Sequence, residues 1–393
     1  MSRGAGLRPA FVSARSAFVG DGGIWTSAAN GRLMDQLRER FPRLQVALSR
    51  APERRPIHDH RLAVDADDFV PLPFLPSLRE GFARSSACRR IVRALEETAD
   101  LLIIQLPFAA PFALLGARRP RLYHLCADVL AQGRTSPGYG GLRRLPAVAV
   151  GILVDRVQRA AIHRPRTRLV ANGRQLFEHY GSPPGRAVVS SSLFAREIES
   201  VRRARPADAP FRVLFVGYLR PEKGFDTLVA AYDRLLADLP DAELEIVASS
   251  ELAETRVEAQ LQAAVARLRR RGTVRCLGPK RFGEELFRCF AEADVLAVPS
   301  RNEGTPRVLV EARAFGCPTV ATRVGGIPTS VEDGVDGLLI PEDDPEALRR
   351  ALLRVAREPE LRRRLVAGGL ERARRSTLEA FAAALGDEAE LLA

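Results

Sequence analysis

The stretch "VPSRNEGTPRVLVEARAFGCPTVATRVGG" carries two carboxylates, Glu303 and Glu311, eight residues apart. Glu303 follows a strand-like run in a Gly/Pro turn. Glu311 sits in a segment whose neighbours Val308, Leu309, Val310, Ala312, Ala314 and Phe315 are apolar on nearly all sides, which describes a helix packed inside the protein. A carboxylate in that setting needs a ligand's hydroxyls or a buried base. Thr305 as N-cap and Pro306 at the first helical position predict a helix over 306–315, stopped at Gly316-Cys317-Pro318. Such a start offers backbone N–H groups and a positive dipole end, which suit a phosphate. The plainer reading is an exposed loop acid at Glu303 and a buried ion pair at Glu311.

A second element points the same way. "VLFVGYLRPEKGFDTL" places a Gly turn at Gly217, at the end of a strand, with Arg220 and Lys223 before the next helix. Cations and free amides at a strand-to-helix turn suit a diphosphate. The alternative is a solvated basic turn. Lys223 and Lys280 are the only lysines in a chain that otherwise uses arginine.

The elements that position these residues follow from periodicity. From Phe211 onward, apolar runs (211–217, 243–249, 273–278, 294–300, 318–322, 337–341) alternate with amphipathic helical stretches, as in β-α units around a parallel sheet. The first half begins alike: a strand "PAFVSARSAFVG", a Gly turn, a helix from about Ile24 to Phe41 and a strand "LQVALSR". Further strands are expected at "LLIIQL" and "RLYHLC", and several Arg/Glu-rich helices from Glu346 onward. With 393 residues, two domains are expected. The polar stretch "RRARPADAP" (202–210) marks their boundary, giving domains 1–205 and 206–375, with a C-terminal helix over 376–393 packing back on the first.

Composition narrows the classes. The chain is 46% hydrophobic and 27% charged, which excludes a disordered protein. Five scattered cysteines without C-x-x-C spacing argue against a zinc site or a disulfide framework and fit a reducing cytosol. The N-terminus shows no secretion signal, and the uncharged run 101–117 is broken by Pro107 and Pro111. Net charge is +12, divided unevenly: residues 1–206 hold 33 arginines and 17 acids, the remainder 27 Lys+Arg and 31 acids. A positive half attracts an anionic substrate, an anionic membrane surface or nucleic acid, unless it reflects only a high-Arg composition. Aromatics at 6% and no recognised module weigh against nucleic acid. The D-x-D at Asp65–Asp67 lies in a polar loop and reads as a solvated turn, so no metal site is expected.

The motifs "VGYLRPEKG", "LGPKRFGEELFRCFAEADVLAVPS" and "EGTPRVLVEARAFGCPTVATRVGGIPTSVEDGVDGLLIP", in that order, resemble the donor-binding domain of retaining glycosyltransferase family 4. The resemblance covers about residues 205–365. In the first half it is looser, resting on "GDGG" and "YHLCAD". It implies an α/β protein with two Rossmann-like domains facing across a cleft, the GT-B fold. It implies that Glu311 holds the ribose of a nucleotide diphosphate sugar, that Glu303 contacts the donor sugar, and that Arg220 and Lys223 neutralise the diphosphate. Amides around Gly304, Thr305, Pro306, Arg307 and Val308 would assist, and the backbone at Leu277, Gly278 and Pro279 would cradle the base. Gly22 and Gly23 match the family's Gly turn near the phosphates, and His124 its histidine near the sugar, although a lone histidine in an apolar strand is commonly a core residue. Where the family places an arginine after the Gly of the first turn, this chain has Tyr218.

The activity so implied is metal-independent transfer of a hexosyl or N-acetylhexosaminyl group, with retention, to a glycan or lipid-linked glycan in polysaccharide or envelope assembly. The site would be cytoplasmic, peripheral on the inner face of the membrane, with "LPAVAVGILV" aiding docking. An epimerase-like relative, an inactive relative and a polyanion binder are the alternatives.

Overall fold

A computed structural model describes residues 6–20, 22–116, 118–129, 144–206, 208–249, 255–270 and 272–393. Of the stretches discussed above, residues 1–5, Asp21, Ala117 and Ala207 lie outside them. The chain forms two compact units, the first containing residues up to 129, 144–192 and 377–393, the second 193–376.

The first unit is built on nine strands: β1 (Pro9–Gly20), β2 (Gly23–Thr26), β3 (Gln45–Arg50), β4 (His60–Arg61), β5 (Phe69–Leu72), β6 (Leu101–Leu106), β7 (Arg121–Leu125), β8 (Thr167–Asn172) and β9 (Gly185–Val188). A parallel sheet runs β5-β3-β1-β6-β7-β8-β9. All six residues of "LLIIQL" are buried, as expected of a central parallel strand covered on both faces. The one polar member, Gln105, is satisfied by the Ser13 hydroxyl, which donates to it at 2.6 Å.

After a register shift between Ser13 and Ser16, β1 stays paired with β3 to Ala17, and its last residues, 18–20, pair antiparallel with β2, which in turn pairs with β4. The helix expected from Ile24 therefore starts later, at Ala28, and ends at Arg40. The apolar pairs Phe18↔Trp25 and Val19↔Ile24 close a hairpin where a helix start was expected, and the helix begins where Asp59 accepts the Ala28 amide at 2.7 Å.

The second unit is a six-stranded, all-parallel sheet in the order β12-β11-β10-β13-β14-β15. Its strands are β10 (Arg212–Tyr218), β11 (Glu243–Ser249), β12 (Thr273–Cys276), β13 (Val295–Val298), β14 (Thr319–Thr322) and β15 (Leu338–Ile340). Residues alternate between two cores. Val213 and Phe215 pack with Phe225, Leu228, Leu348 and Leu352 of the helices Phe225–Leu235 and Pro345–Arg357. Leu214 and Leu296 pack with Phe287, Phe290, Leu309 and Ala312 of the helices Glu284–Glu292 and Arg307–Ala314.

The division falls between Ser192 and Leu193 rather than near 205. Charge explains the difference: Arg203 and Arg205 reach the buried carboxylate of Asp294 at 2.7 and 3.4 Å, and the amides of Ala204 and Arg205 donate to Glu292, so the polar stretch belongs to the second unit. Past Ser376 the chain returns to the first unit as the helix Leu378–Glu390. There Glu388, 2% exposed, accepts from Arg186 at 2.7 Å and from Arg168, while Arg40 binds Asp387 and Glu390 at 2.8 Å each.

Replacing Glu388 by alanine removes the partner of Arg168 and leaves Arg186 with Asp387 at 3.7 Å. The expected loss is about 2 kcal/mol in urea unfolding. Glu388→Gln, which keeps one acceptor, should lose less.

Candidate active site

The strand order of the second unit reverses between β10 and β13, and ligands of open parallel sheets bind beyond the carboxyl ends at such a switch point. Lys223 and Glu303 come from the loops that follow these two strands, and the Lys223 ammonium donates to Glu303 Oε1. Ser300 Oγ donates to the same oxygen at 3.1 Å.

Each loop is shaped by backbone that only glycine tolerates. Gly224, at φ +63°, joins the Pro221–Lys223 turn to the Phe225–Leu235 helix, and a Cβ there would lie 1.9 Å from the Pro299 carbonyl oxygen. Gly325, at φ +52°, backs the Glu303 loop, where a Cβ would lie 1.7 Å from the Glu303 carbonyl oxygen. The Gly326 amide donates to the carbonyls of Glu303 and Gly304 at 3.2 and 3.0 Å.

Arg301 ties the two loops together. Its amide donates to the Glu222 carbonyl at 2.8 Å. Its guanidinium donates to the Pro221 carbonyl at 2.6 Å, to Asp226 at 2.6 Å and to Asp343, in the loop after β15, at 2.7 Å. Arg301 is absent from the sequence-based site residues, as are Gly325 and Gly326. The available signals were an arginine two residues before Glu303 and a Gly pair following the β14 strand pattern.

The helix after Glu303 runs Arg307–Ala314, one residue shorter at each end than expected. Pro306 has ψ 126°, so it stays extended and occupies the N-cap position itself. Gly304, Thr305, Pro306, Arg307 and Val308 thus form one continuous segment from Glu303 to the helix start. Glu311 lies one turn further on, 8% exposed, with no hydrogen bond or ion pair to another described residue. Burial pushes its carboxyl up to about 7, with the Arg307 charge pulling the other way.

Gly217 is the penultimate residue of β10. Arg220 lies in the same turn as Lys223, its guanidinium 5.5 Å from the Tyr218 ring centre and 3.6 Å from Glu222. Leu277, Gly278 and Pro279 follow β12 on the same carboxyl edge, two strands from β10.

The other site residues fall in the first unit. Gly22 and Gly23 stand at the β1–β2 hairpin, where Arg61 donates to the Gly22 carbonyl at 2.7 Å. The hairpin separates them from the Ala28–Arg40 helix, so they do not form a strand-to-helix phosphate turn. His124 is fully buried in β7, its ring 5.1 Å from Phe381 and its Nε2 3.5 Å from the Cys126 sulfur. The Leu378–Glu390 helix covers this ring, so the structure places His124 in a core setting. Asp65 of the D-x-D is exposed and lies 3.8 Å from Arg38, which binds Asp68 at 3.0 Å.

The comparisons with known proteins bear on the second unit most directly. Residues 210–358 match the family model described as "Glycosyl transferases group 1". This segment is therefore similar to group 1 glycosyltransferase domains. A D-inositol 3-phosphate glycosyltransferase of Nocardioides sp. is 38% identical over 228 residues, covering 52% of this chain and 49% of the relative. One from Streptosporangium roseum is 34% identical over 239 residues, covering 56% and 54%. The chain spans about half the length of the curated relatives it matches.

Among solved structures, sucrose-phosphate synthase from Thermosynechococcus elongatus is similar over 98% of both chains (TM-score 0.70, 20% identity). An α,α-trehalose 6-phosphate synthase from Burkholderia multivorans covers 98% of this chain and 100% of its own (TM-score 0.71, 17% identity). Anabaena HepE, solved in complex with UDP-glucose, covers 98% and 99% (TM-score 0.66, 20% identity). At these identities the likeness establishes the fold, which is GT-B with two parallel-sheet domains.

The Glu311 carboxyl makes the domain's stability pH-dependent. Its folded pKa lies above the ordinary value of 4.5, so its contribution is most favourable below about 4.5 and is lost as pH rises through about 7. Melting curves without ligand should show wild type falling relative to Glu311→Gln between pH 4.5 and 7, with a constant difference above that range. A parallel pH dependence in the two proteins would refute a raised pKa.

Proposed function

We propose that this chain is a retaining, metal-independent glycosyltransferase. It moves a hexosyl or N-acetylhexosaminyl group from a nucleotide diphosphate sugar to a hydroxyl of a glycan or lipid-linked glycan in polysaccharide or envelope assembly. The observation that carries the reading is Glu311, a buried carboxyl without a hydrogen-bond partner among the described residues, one turn inside the helix whose start follows Glu303. Such a group is satisfied by a pair of vicinal hydroxyls, and a ribose has them. The match of residues 210–358 and the activity named for the relatives support the same reading.

The chemistry follows from where charge develops. As the bond from the anomeric carbon to the diphosphate oxygen breaks, negative charge builds on the leaving group and positive charge on the sugar ring. Lys223, Arg220 and the leading amides of the Arg307–Ala314 helix offset the first. The Glu303 carboxylate offsets the second and binds sugar hydroxyls. The departing phosphate oxygen takes the acceptor's proton while the acceptor oxygen bonds to the same face of the anomeric carbon, so configuration is retained without a covalent enzyme intermediate. Lys223 and Glu303 already hold each other, so the donor enters a site whose two charged groups are in place.

The first half, with its excess of arginine, suits an anionic or membrane-borne acceptor. Ile152 and Leu153, exposed on the Arg144–Ile162 helix, add an apolar contact for a lipid surface on the cytoplasmic side. No helix among the described residues is long and apolar enough to cross a membrane.

The test is thermal stabilisation by UDP, GDP and ADP and their sugars, with and without EDTA. One nucleotide should raise the melting temperature, EDTA should leave the shift unchanged, and Glu311→Ala should lose it. No shift with any nucleotide in a folded sample would overturn the reading. With donor and acceptor identified, Lys223→Ala should lower kcat by roughly 10²–10³-fold, and proton NMR of the product should show the donor's anomeric configuration.

A further inference from the structure

The first unit holds a cavity of about 320 Å³ lined by Phe18, Val19, Arg50, Ala51, Pro52 and Phe74. The lining comes from the far end of β1, from the end of β3 and the residues after it, and from just beyond β5, three neighbouring strands of the parallel sheet. It therefore sits at the carboxyl edge, where such sheets take ligands. Its volume is near the lower end for small-molecule sites, roughly 300–1,000 Å³.

Two properties define what it takes. Phe18 and Phe74 give it apolar walls. Its charge is of one sign: Arg50 is exposed and makes no side-chain hydrogen bond or ion pair with another described residue, and no carboxylate is among the lining residues. The loop after β3 brings two more guanidiniums, Arg54 at 3.8 Å from the Trp25 ring centre and Arg55 at 5.8 Å from that of Phe74. Glu53 lies 3.9 Å from Arg55, and Asp59 is engaged by the Ala28 amide. Neighbouring His58, buried and bonded to Ser16 at 2.9 Å, is held below its ordinary pKa by burial and then by the charges of Arg55 and Arg54. Trp25 stands directly opposite Phe18 across the β1–β2 pair, so the two side chains share a face. The Trp25 indole N–H is buried and has no partner among the described residues, a condition that is rare in folded proteins.

We propose that this cavity binds an acceptor that carries a phosphate on an apolar chain, with the chain against Phe18 and Phe74 and the phosphate held by Arg50 and Arg54. Guanidinium forks match phosphate oxygens in pairs, and aromatic walls match methylenes better than sugar hydroxyls. The proposal rests on the reading above, in which the first unit takes the acceptor, and it makes that acceptor a phosphorylated lipid.

Trp25 is the only tryptophan of the chain, so its fluorescence reports on this hairpin alone. The full chain is titrated at low ionic strength with hexyl phosphate, inorganic phosphate and hexyl glucoside, and nucleotide melting shifts are recorded on the same samples. Hexyl phosphate should change the emission saturably, at least about tenfold more tightly than inorganic phosphate, and hexyl glucoside should not change it. Arg50→Ser and Phe74→Ala should each weaken hexyl phosphate by about tenfold or more while keeping the wild-type nucleotide shift, which shows that they are folded. A flat titration, a response that survives Arg50→Ser, or an equal response to hexyl glucoside overturns the proposal. An equal response to inorganic phosphate overturns the lipid and leaves a free phosphorylated acceptor. Loss of the nucleotide shift in wild type sinks the donor assignment instead, whatever Trp25 reports.

Discussion

One guanidinium organises the site of the second unit. Arg301 holds the Pro221 carbonyl, Asp226 and Asp343 at once, and its own amide holds Glu222. A planar fork satisfies several acceptors only when they lie at set angles, so the turn bearing Lys223, the start of the following helix and the loop after β15 are fixed relative to Glu303, two residues along the chain. Any one of these partly exposed ion pairs is worth little. Together they replace the flexibility of three loops with a single frame, and the Lys223–Glu303 pair is its product.

The apolar architecture beneath this frame was largely readable. The continuous apolar run 211–217 pointed to a strand of a parallel sheet, and Glu311 among leucine, valine and alanine to a buried acid. Polar ties were harder to read because their partners are remote in sequence: Asp226 and Pro221 precede Arg301 by 75 and 80 positions and Asp343 follows it by 42. The same holds for Arg203 and Arg205. In composition they mark a linker, whereas Asp294, about 90 residues on, draws them into the second unit.

Two placements that differ from expectation have local causes. The Gly pair after β1 has the composition of either a strand-to-helix turn or a hairpin. The choice falls to Trp25 and Ile24, whose side chains pack better across a strand pair than at a helix start. His124 lies in a strand of apolar neighbours, and the residue that covers it, Phe381, arrives from the last helix of the chain. No local pattern connects the two.

That last helix has a consequence for how the protein is made. The first unit is interrupted by residues 193–376, and Glu388, which neutralises Arg168 and Arg186, is translated only after the whole second unit. During synthesis the leading half leaves the ribosome with two uncompensated arginines and an uncovered face around His124, and it stays so while the whole second unit folds. Emergence of residues 377–393, rather than of the first half, is the event that closes the first core. A nascent chain stalled short of residue 378 would display that open face to chaperones and proteases.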